Sequence, residues 1–357
     1  MNALQIHAGS RARERLKERG LQPEDVRIVA GAAGGPKGLV LNPLDRLIFG
    51  QWLAGSTHTV HLMGASIGAW RLACATLDDP ARALARLAED YINEQFPTRP
   101  DGGPVARQMS DTFAERLREH FEGREAEALQ HPRYRLHVFT SLGRGPLLRR
   151  EGRVRTPLGY LGAFATNVVS RRAMGGWLER VVFSDMRDPL PLRLHDYRTR
   201  QVPLLTHNLS PSVLASCSIP FVLAAVHDIP GAPPGAYWDG GITDYHLHLD
   251  YASMADGLVL YPHFQRNLVP GWLDKGLRHR HRASERLANV VVLAPNPEWV
   301  KSLPNGKLPD RTDFKAYGTD HAGRGRDWRR AMAMSQQLAD EFETLAARPS
   351  IDALPLN

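Results

Sequence analysis

Residues 26–77 read VRIVAGAAGGPKGLVLNPLDRLIFGQWLAGSTHTVHLMGASIGAWRLACATL, and the stretch runs through one pattern twice. VRIVA (residues 26–30) is a β-branched run that ends directly in GAAGGPKG (residues 31–38). Behind the glycines, residues 39–53 carry apolar side chains at helical spacing. THTVHLM (residues 57–63) is a second strand, closed by GASIG (residues 64–68) and followed by the helical AWRLACATL (residues 69–77). Strand, tight glycine turn and helix in immediate repetition predict an α/β fold with a largely parallel sheet, because parallel neighbours need a crossover between them.

Outward from this stretch, residues 80–130 are Arg/Glu-rich and read as helical without a strand signal. RLHVFTS (residues 135–141), RVVFS (residues 180–184), GLVLYPH (residues 257–263) and NVVVLAP (residues 289–295) are further strands. VPLLTHNL (residues 202–209) fits either state, and PSVLASCS (residues 211–218) predicts a short helix with Pro211 in its first turn. A long helix is expected over residues 325–347, and LPNGKLPDRTD (residues 303–313) is a loop. No internal repeat or low-complexity linker divides the chain. The expectation is a single domain over residues 1–357, with a helical segment at about 80–130 and a part after about residue 250 that no motif defines.

Composition narrows the classes. Of 357 residues, 43% are hydrophobic and 23% charged, which excludes disordered, collagen-like and disulfide-scaffold chains. The 45 basic and 38 acidic residues leave a net charge of +7, an excess that permits an anionic partner without demanding one. Cys74 and Cys217 are the two cysteines and form no C-x-x-C pair, so a disulfide framework, a zinc ribbon or a dithiol redox site is not expected. The N-terminal residues turn basic at once, without the apolar core of a signal peptide, and no run reaches the ~18 apolar residues a membrane span needs. A cytoplasmic protein is the expectation.

Three glycine turns carry candidate chemistry. Gly64-Ala65-Ser66-Ile67-Gly68 matches G-x-S-x-G, in which a serine on a sharp strand-to-helix turn needs neighbours without side chains. The helix behind it offers amides that favour developing negative charge. The turn Gly31 to Gly38 is not a phosphate-binding P-loop, since Pro36 stands where that motif needs glycine and Gly38 where it needs a hydroxyl. Nor does it fit the dinucleotide fingerprint. What remains is a strand-to-helix loop whose exposed Gly34 and Gly35 amides can hold an oxyanion, or a tight turn without a ligand. Asp239-Gly240-Gly241, taken alone, is a hairpin turn.

Taken together and in order, these motifs resemble the patatin-like phospholipases. Gly34, Gly35, Pro36, Lys37 and Gly38 match a G-G-x-[RK]-G loop; Gly64, Ser66 and Gly68 match the nucleophile elbow; Asp239, Gly240 and Gly241 match D-G-[GA]. Residues 215–220, ASCSIP, resemble the segment that precedes the family's aspartate, while Ala33 stands where members often carry a third glycine. The resemblance implies a three-layer α/β/α sandwich with a central, mostly parallel sheet. It implies a lipid acyl hydrolase with a Ser66–Asp239 dyad, no catalytic histidine and no cofactor or metal. Ser66 would attack the ester carbonyl, Asp239 would accept its proton, and Gly34, Gly35 and the Ile67 amide would hold the oxyanion. Lys37, Gly38, Gly64, Gly68, Gly240 and Gly241 would support the motifs. Phospholipids or neutral lipids would be the substrates. Two alternatives stand beside it: a Ser–Asp–His triad esterase, and a non-catalytic lipid-binding protein on the same scaffold.

Three further features invite other readings. Asp244, His246, His248 and Asp250 alternate in DYHLHLD and would share one face if that segment were a strand, a spacing open to a metal but more often a solvated surface. RHRHR (residues 278–282), with Arg286 and Trp272 nearby, suits a solvated face or peripheral contact with an anionic membrane. No helix-turn-helix, RRM or zinc-finger signature accompanies it, so nucleic acid is not an expected partner. Lys37 is placed either to contact a substrate phosphate or to pair with a carboxylate.

Overall fold

The computed structural model describes residues 2–95 and 106–356. Among these, eleven strands join in one sheet: β1 (Leu4–Ala8), β2 (Val26–Gly31), β3 (Val60–Ala65), β4 (Tyr134–Gly143), β5 (Leu178–Ser184), β6 (Thr199–Pro203), β7 (Val226–His227), β8 (Ala236–Asp239), β9 (Leu258–Pro262), β10 (Val290–Pro295) and β11 (Leu354–Pro355). The main order is β11-β1-β10-β9-β2-β3-β4-β5-β6, and β10, β9, β2, β3 and β4 run parallel. The mixed α/β architecture with a mostly parallel central sheet is the one the repeated strand–turn–helix pattern predicts.

The parallel strands are near-continuous apolar runs because both faces are covered. Val29, Leu260 and Leu293 point into one core, against Leu72, Leu84 and Phe342 of the helices Ile67–Ala75, Pro80–Asn93 and Gln336–Ala346. Their neighbours Ile28, Val259 and Val292 point the other way, against Leu247, Tyr251, Phe264 and Leu287 from loops and short 3₁₀ turns. On the β8 side the helix Arg155–Val169 packs through Tyr160 and Ala163 near Trp238.

Several local expectations need correction. DYHLHLD is not a strand: Asp244 ends the short helix Gly241–Asp244, and Leu247 takes a positive φ of 41°. The four acidic and histidine side chains therefore do not line one strand face, and the geometric basis for a metal there disappears. Asp244 instead receives the fully buried Arg180, whose Nε donates to Oδ2 at 2.7 Å. Pro211 lies inside the helix Thr206–Cys217 and not in its first turn. VPLLTHNL divides between the end of β6 and the start of that helix. The long C-terminal helix is two, His321–Met334 and Gln336–Ala346, parted at the buried Ser335, whose hydroxyl donates to the Met332 carbonyl. Residues 80–130 hold the helices Pro80–Asn93, Ala106–Phe121 and Glu125–Gln130, with residues 96–105 outside the described part. The N-terminal β1, absent from the sequence reading, pairs antiparallel with β10.

Candidate active site

Register brings the two outer motifs together. Ala65, the last residue of β3, pairs with Phe139 of β4, and Asp239, the last of β8, pairs with Thr140, the next residue along β4. β5 occupies the other edge of β4 over the same stretch, so β8 continues the edge that β3 leaves. The residue after β3 therefore arrives beside the end of β8. Ser66 Oγ donates to Asp239 Oδ2 at 2.7 Å across 173 residues of chain.

The elbow is held by close approach and by hydrogen bonds. Ser66 has φ 56° and ψ −131°, a left-handed-side conformation that costs a non-glycine residue about 1–3 kcal/mol and persists only where its surroundings impose it. A Cβ at Gly68 would run into the carbonyl of Gly31, and one at Gly64 into the backbone of Ala69. Strand, turn and helix meet here without room for side chains. The Ser66 N–H donates to Ser216 Oγ at 2.8 Å, and that hydroxyl donates to the Phe139 carbonyl at 2.7 Å. Ser216 thus pins the elbow to β4. With the Ser66 amide occupied, the amide of Ile67 stands at the first position of the helix Ile67–Ala75, where no intrahelical acceptor exists.

Asp239 is equally constrained. Its Oδ1 accepts from the Gly241 amide at 2.7 Å, its own N–H donates to the Ser218 carbonyl at 2.8 Å, and its carbonyl accepts from Ser141 Oγ at 3.0 Å. Asp239-Gly240-Gly241 is therefore the junction of β8 with the helix Gly241–Asp244, not a hairpin turn, and a Cβ at Gly240 would strike the Phe139 carbonyl. Burial raises the Asp239 carboxyl above the usual carboxylate range, and the Ser66 hydroxyl, Arg311 and the Gly241 amide offset that only in part. Cys217, buried beside the pair, has its thiol pushed far up by desolvation.

The glycine loop lies over the same point. Ala33 is tied by its N–H to the Tyr245 carbonyl at 2.9 Å, and among the described residues no hydrogen bond takes up the amide of Gly34 or Gly35. Gly35 has φ 57°, so glycine is the natural residue there. Gly38 packs its α-carbon face on Ile67, and Gly241 faces Ala33.

A cavity of about 240 Å³ opens at this junction, lined by Gly34, Lys37, Asp239, Tyr245, Lys275 and Arg311 among others. Asp310, also on its wall, is paired with Lys307 at 2.8 Å. Among the described residues Lys37, Lys275 and Arg311 form no ion pair with a side-chain carboxylate, so the cavity is electropositive. Lys37 stacks its ammonium 5.0 Å from the Phe264 ring centroid. Burial lowers its pKa, with Arg311 and Lys307 adding to the effect and Asp310 opposing it. Lys275 sits at the rim, 4.1 Å from the Tyr245 ring centroid. Partial burial, with Arg311 and Lys37 nearby, holds its pKa down to about 8.

Sequence reasoning missed Lys275, Arg311 and Ser141. The first two lie after residue 250, where no motif marks them. Arg311 comes from the loop at residues 303–313, and a Cβ on Gly35 would sit 3.2 Å from its Nε. Ser141 and Ser216 had no signal beyond lying within a strand and a family-like segment.

No known family profile and no curated protein matches the chain. Among solved structures, the crystal structure of VipD from Legionella pneumophila is similar to it over 95% of this chain and 70% of that chain, at 14% identity and a TM-score of 0.35. A likeness of that strength carries no weight for activity, which has to be read from the residues themselves.

Proposed function

We propose that the chain is a serine acyl hydrolase that cleaves fatty-acyl esters through an acyl-Ser66 intermediate. One observation carries this: a serine held at positive φ, at the start of a buried helix, donates a 2.7 Å hydrogen bond to a buried carboxylate. Ser66 Oγ attacks the ester carbonyl carbon while its proton passes to Asp239 Oδ2. The oxygen that becomes anionic is met by the amides of Gly34, Gly35 and Ile67. Collapse breaks the bond to the alcohol, which leaves with the proton from Asp239. Water then attacks the acyl-serine with Asp239 as base, releasing the fatty acid and restoring Ser66.

Two observations favour the dyad over a triad. Among the described residues no histidine hydrogen-bonds Ser66 or Asp239, which leaves a triad without its central member. His263, buried with its ring centroid 4.4 Å from that of Phe264, has a pKa lowered to about 3 by burial, unsuited to receive a serine proton near neutral pH. The three unpaired cations at the cavity favour an acyl ester that carries a phosphate or similar anion near its carbonyl over a neutral glyceride.

Labelling with a fluorophosphonate, followed by fatty-acid release from an ester panel running from p-nitrophenyl esters to phospholipids, tests the proposal. Ser66→Ala abolishes both signals. Asp239→Asn keeps the fold and loses comparable activity, and the double variant is little worse than either single one, because members of one catalytic unit fail together. A folded wild type that neither labels nor hydrolyses any ester turns the reading toward a non-catalytic lipid binder. A single histidine substitution that silences the enzyme while Asp239→Asn stays active restores the triad.

A further inference from the structure

The helix Arg155–Val169 is amphipathic with its sides reversed. Its inward face is Thr156, Gly159, Tyr160, Ala163 and Asn167, three of them polar. Its exposed positions, Pro157, Leu158, Leu161, Phe164, Ala165, Val168 and Val169, recur at helical spacing and carry no polar side chain. Leu161 is 64% exposed and Val169 84%, and Val154 prolongs the stripe by a turn. Fifteen residues at 1.5 Å each give an apolar ridge about 22 Å long. Beside it stands Phe221, 53% exposed and held at φ 70°, its ring 5.7 Å from Tyr160. Scattered exposed apolar residues are ordinary on soluble proteins, but a continuous ridge marks a surface that meets something.

Charge identifies the occupant. Between residues 149 and 178 the sequence holds six arginines and one carboxylate, Glu151. Arg149, Arg150 and Arg153 are exposed before the helix and Arg172 after it. At its C-terminal end Arg280 donates to the Val168 carbonyl at 3.2 Å, which brings the basic run at residues 278–282, with exposed Arg278 and Arg282, beside the ridge. Apolar side chains between two groups of arginines match a bilayer with anionic headgroups, which offers hydrocarbon and negative charge at adjacent depths. A second copy of the chain matches poorly, since a twofold contact would set arginines against arginines. Among the described residues no helix is long and apolar enough to cross a membrane, so the contact lies in the interface plane.

We infer that this ridge, Val154 to Val169 with Phe221, docks the protein on the surface of an anionic lipid bilayer. The ridge also adjoins the cavity wall. Phe221 directly follows Ile219 and Pro220 on the cavity wall, and Asn167 bonds Asp274, next to Lys275, at 2.8 Å.

Co-sedimentation of the full chain with vesicles tests the docking without any turnover, so its failure is distinct from a failure of the hydrolase proposal. Vesicles of phosphatidylcholine with about a third phosphatidylserine sediment the protein, and pure phosphatidylcholine does so at least ~5-fold less, an excess that shrinks at high salt. The double variant Leu161→Asp/Phe164→Asp loses about tenfold or more in vesicle affinity with an unchanged melting temperature. A Leu161→Trp variant, which needs no charge on the ridge, shows a blue shift and quenching by brominated lipid. Vesicle binding that survives the double variant, or a Leu161→Trp emission that vesicles leave unmoved, overturns the proposal. A dimer that the double variant dissociates assigns the ridge to a second copy and overturns it as well.

Discussion

Two apolar helices of this molecule behave oppositely. In Ile67–Ala75 all nine residues are buried, including Arg71, whose guanidinium meets the buried Asp45 at 2.6 and 2.7 Å. In Arg155–Val169 the large aliphatic side chains and Phe164 face outward, while Thr156, Tyr160 and Asn167 face the protein. By composition alone both would be counted as core. The first is fixed on every side, which gives the Ile67 amide at its start the rigidity that the proposed oxyanion role requires. The second is attached along one narrow face and leaves its hydrophobic surface to an external partner. Apolar character drives burial, but only packing tells whether the burial happens within the chain or against something else.

Aspartate placed at each helix breaks or sharpens that contrast most strongly. Leu72→Asp puts a charge without a partner into the core and should cost more than about 4 kcal/mol, enough to prevent folding of many domains. Leu161→Asp should change stability by less than about 0.5 kcal/mol, since its side chain is already in water. Denaturant unfolding of both variants decides it, and a Leu161→Asp protein as damaged as Leu72→Asp would erase the distinction.

A smaller effect is expected at the loop that the buried helix supports. Gly35→Ala brings a Cβ to 3.2 Å from Arg311 Nε and sets it at a φ of 57° that L side chains rarely adopt, a strain that turning the amide away would relieve. Loss of one oxyanion donor lowers kcat by about 10²–10³ while the melting temperature moves only slightly. Full kcat with a normal fold would make the loop no more than a turn.

The smallest predicted effects concern pH and charge. Lys275 is cationic below about pH 8 and neutral above it. KM for an ester with an anionic headgroup should therefore rise as pH passes 8, whereas KM for a neutral ester stays level, and Lys275→Met should abolish the difference. Asp239 shows the opposite sign. Its pKa is raised on folding, so the ionised form is penalised in the folded state, and stability is lost as pH rises from the unfolded to the folded value. Asp239→Asn, neutral at every pH, should then melt no lower than wild type at pH 7 and slightly higher if the amide keeps the bond to Ser66. Calorimetry at pH 7 checks this, and a clearly lower midpoint would contradict the burial argument. Activity that needs ionised Asp239 should fall on the acid side at a pH above the ordinary carboxylate range.

Much of the site was legible because glycines and turn residues act locally. G-A-S-I-G between a strand and a helix has few ways to fold, since strand and helix must approach where Gly64 and Gly68 leave space, and Ser66 is then forced to the apex. The same holds for VRIVA, NVVVLAP and the other parallel strands, whose near-continuous apolar character reports burial on both faces. DYHLHLD misled for the converse reason. Its alternation mimics a strand, but Asp244 is drawn to Arg180 and Tyr245 and His246 donate their amides to Pro270 and Val269, contacts distant in sequence that no local pattern encodes. Pro211 likewise sits inside a helix that tertiary packing sustains on both sides of it.

By itself, then, the sequence determined the α/β class, the strand–turn–helix units and Ser66 at the apex of its turn, because each rests on short-range sterics and periodicity, whereas Asp239 became a candidate only through the resemblance of the ordered motifs to the patatin-like phospholipases. Tertiary structure alone decided that these two residues meet, through the registers Ala65 with Phe139 and Thr140 with Asp239, which set strand ends side by side across long stretches of chain. It alone gathered Lys275 and Arg311 at the cavity from a region without motifs. And it alone turned the apolar face of Arg155–Val169 outward, because hydrophobicity fixes how strongly a side chain avoids water but not which surface removes it from water.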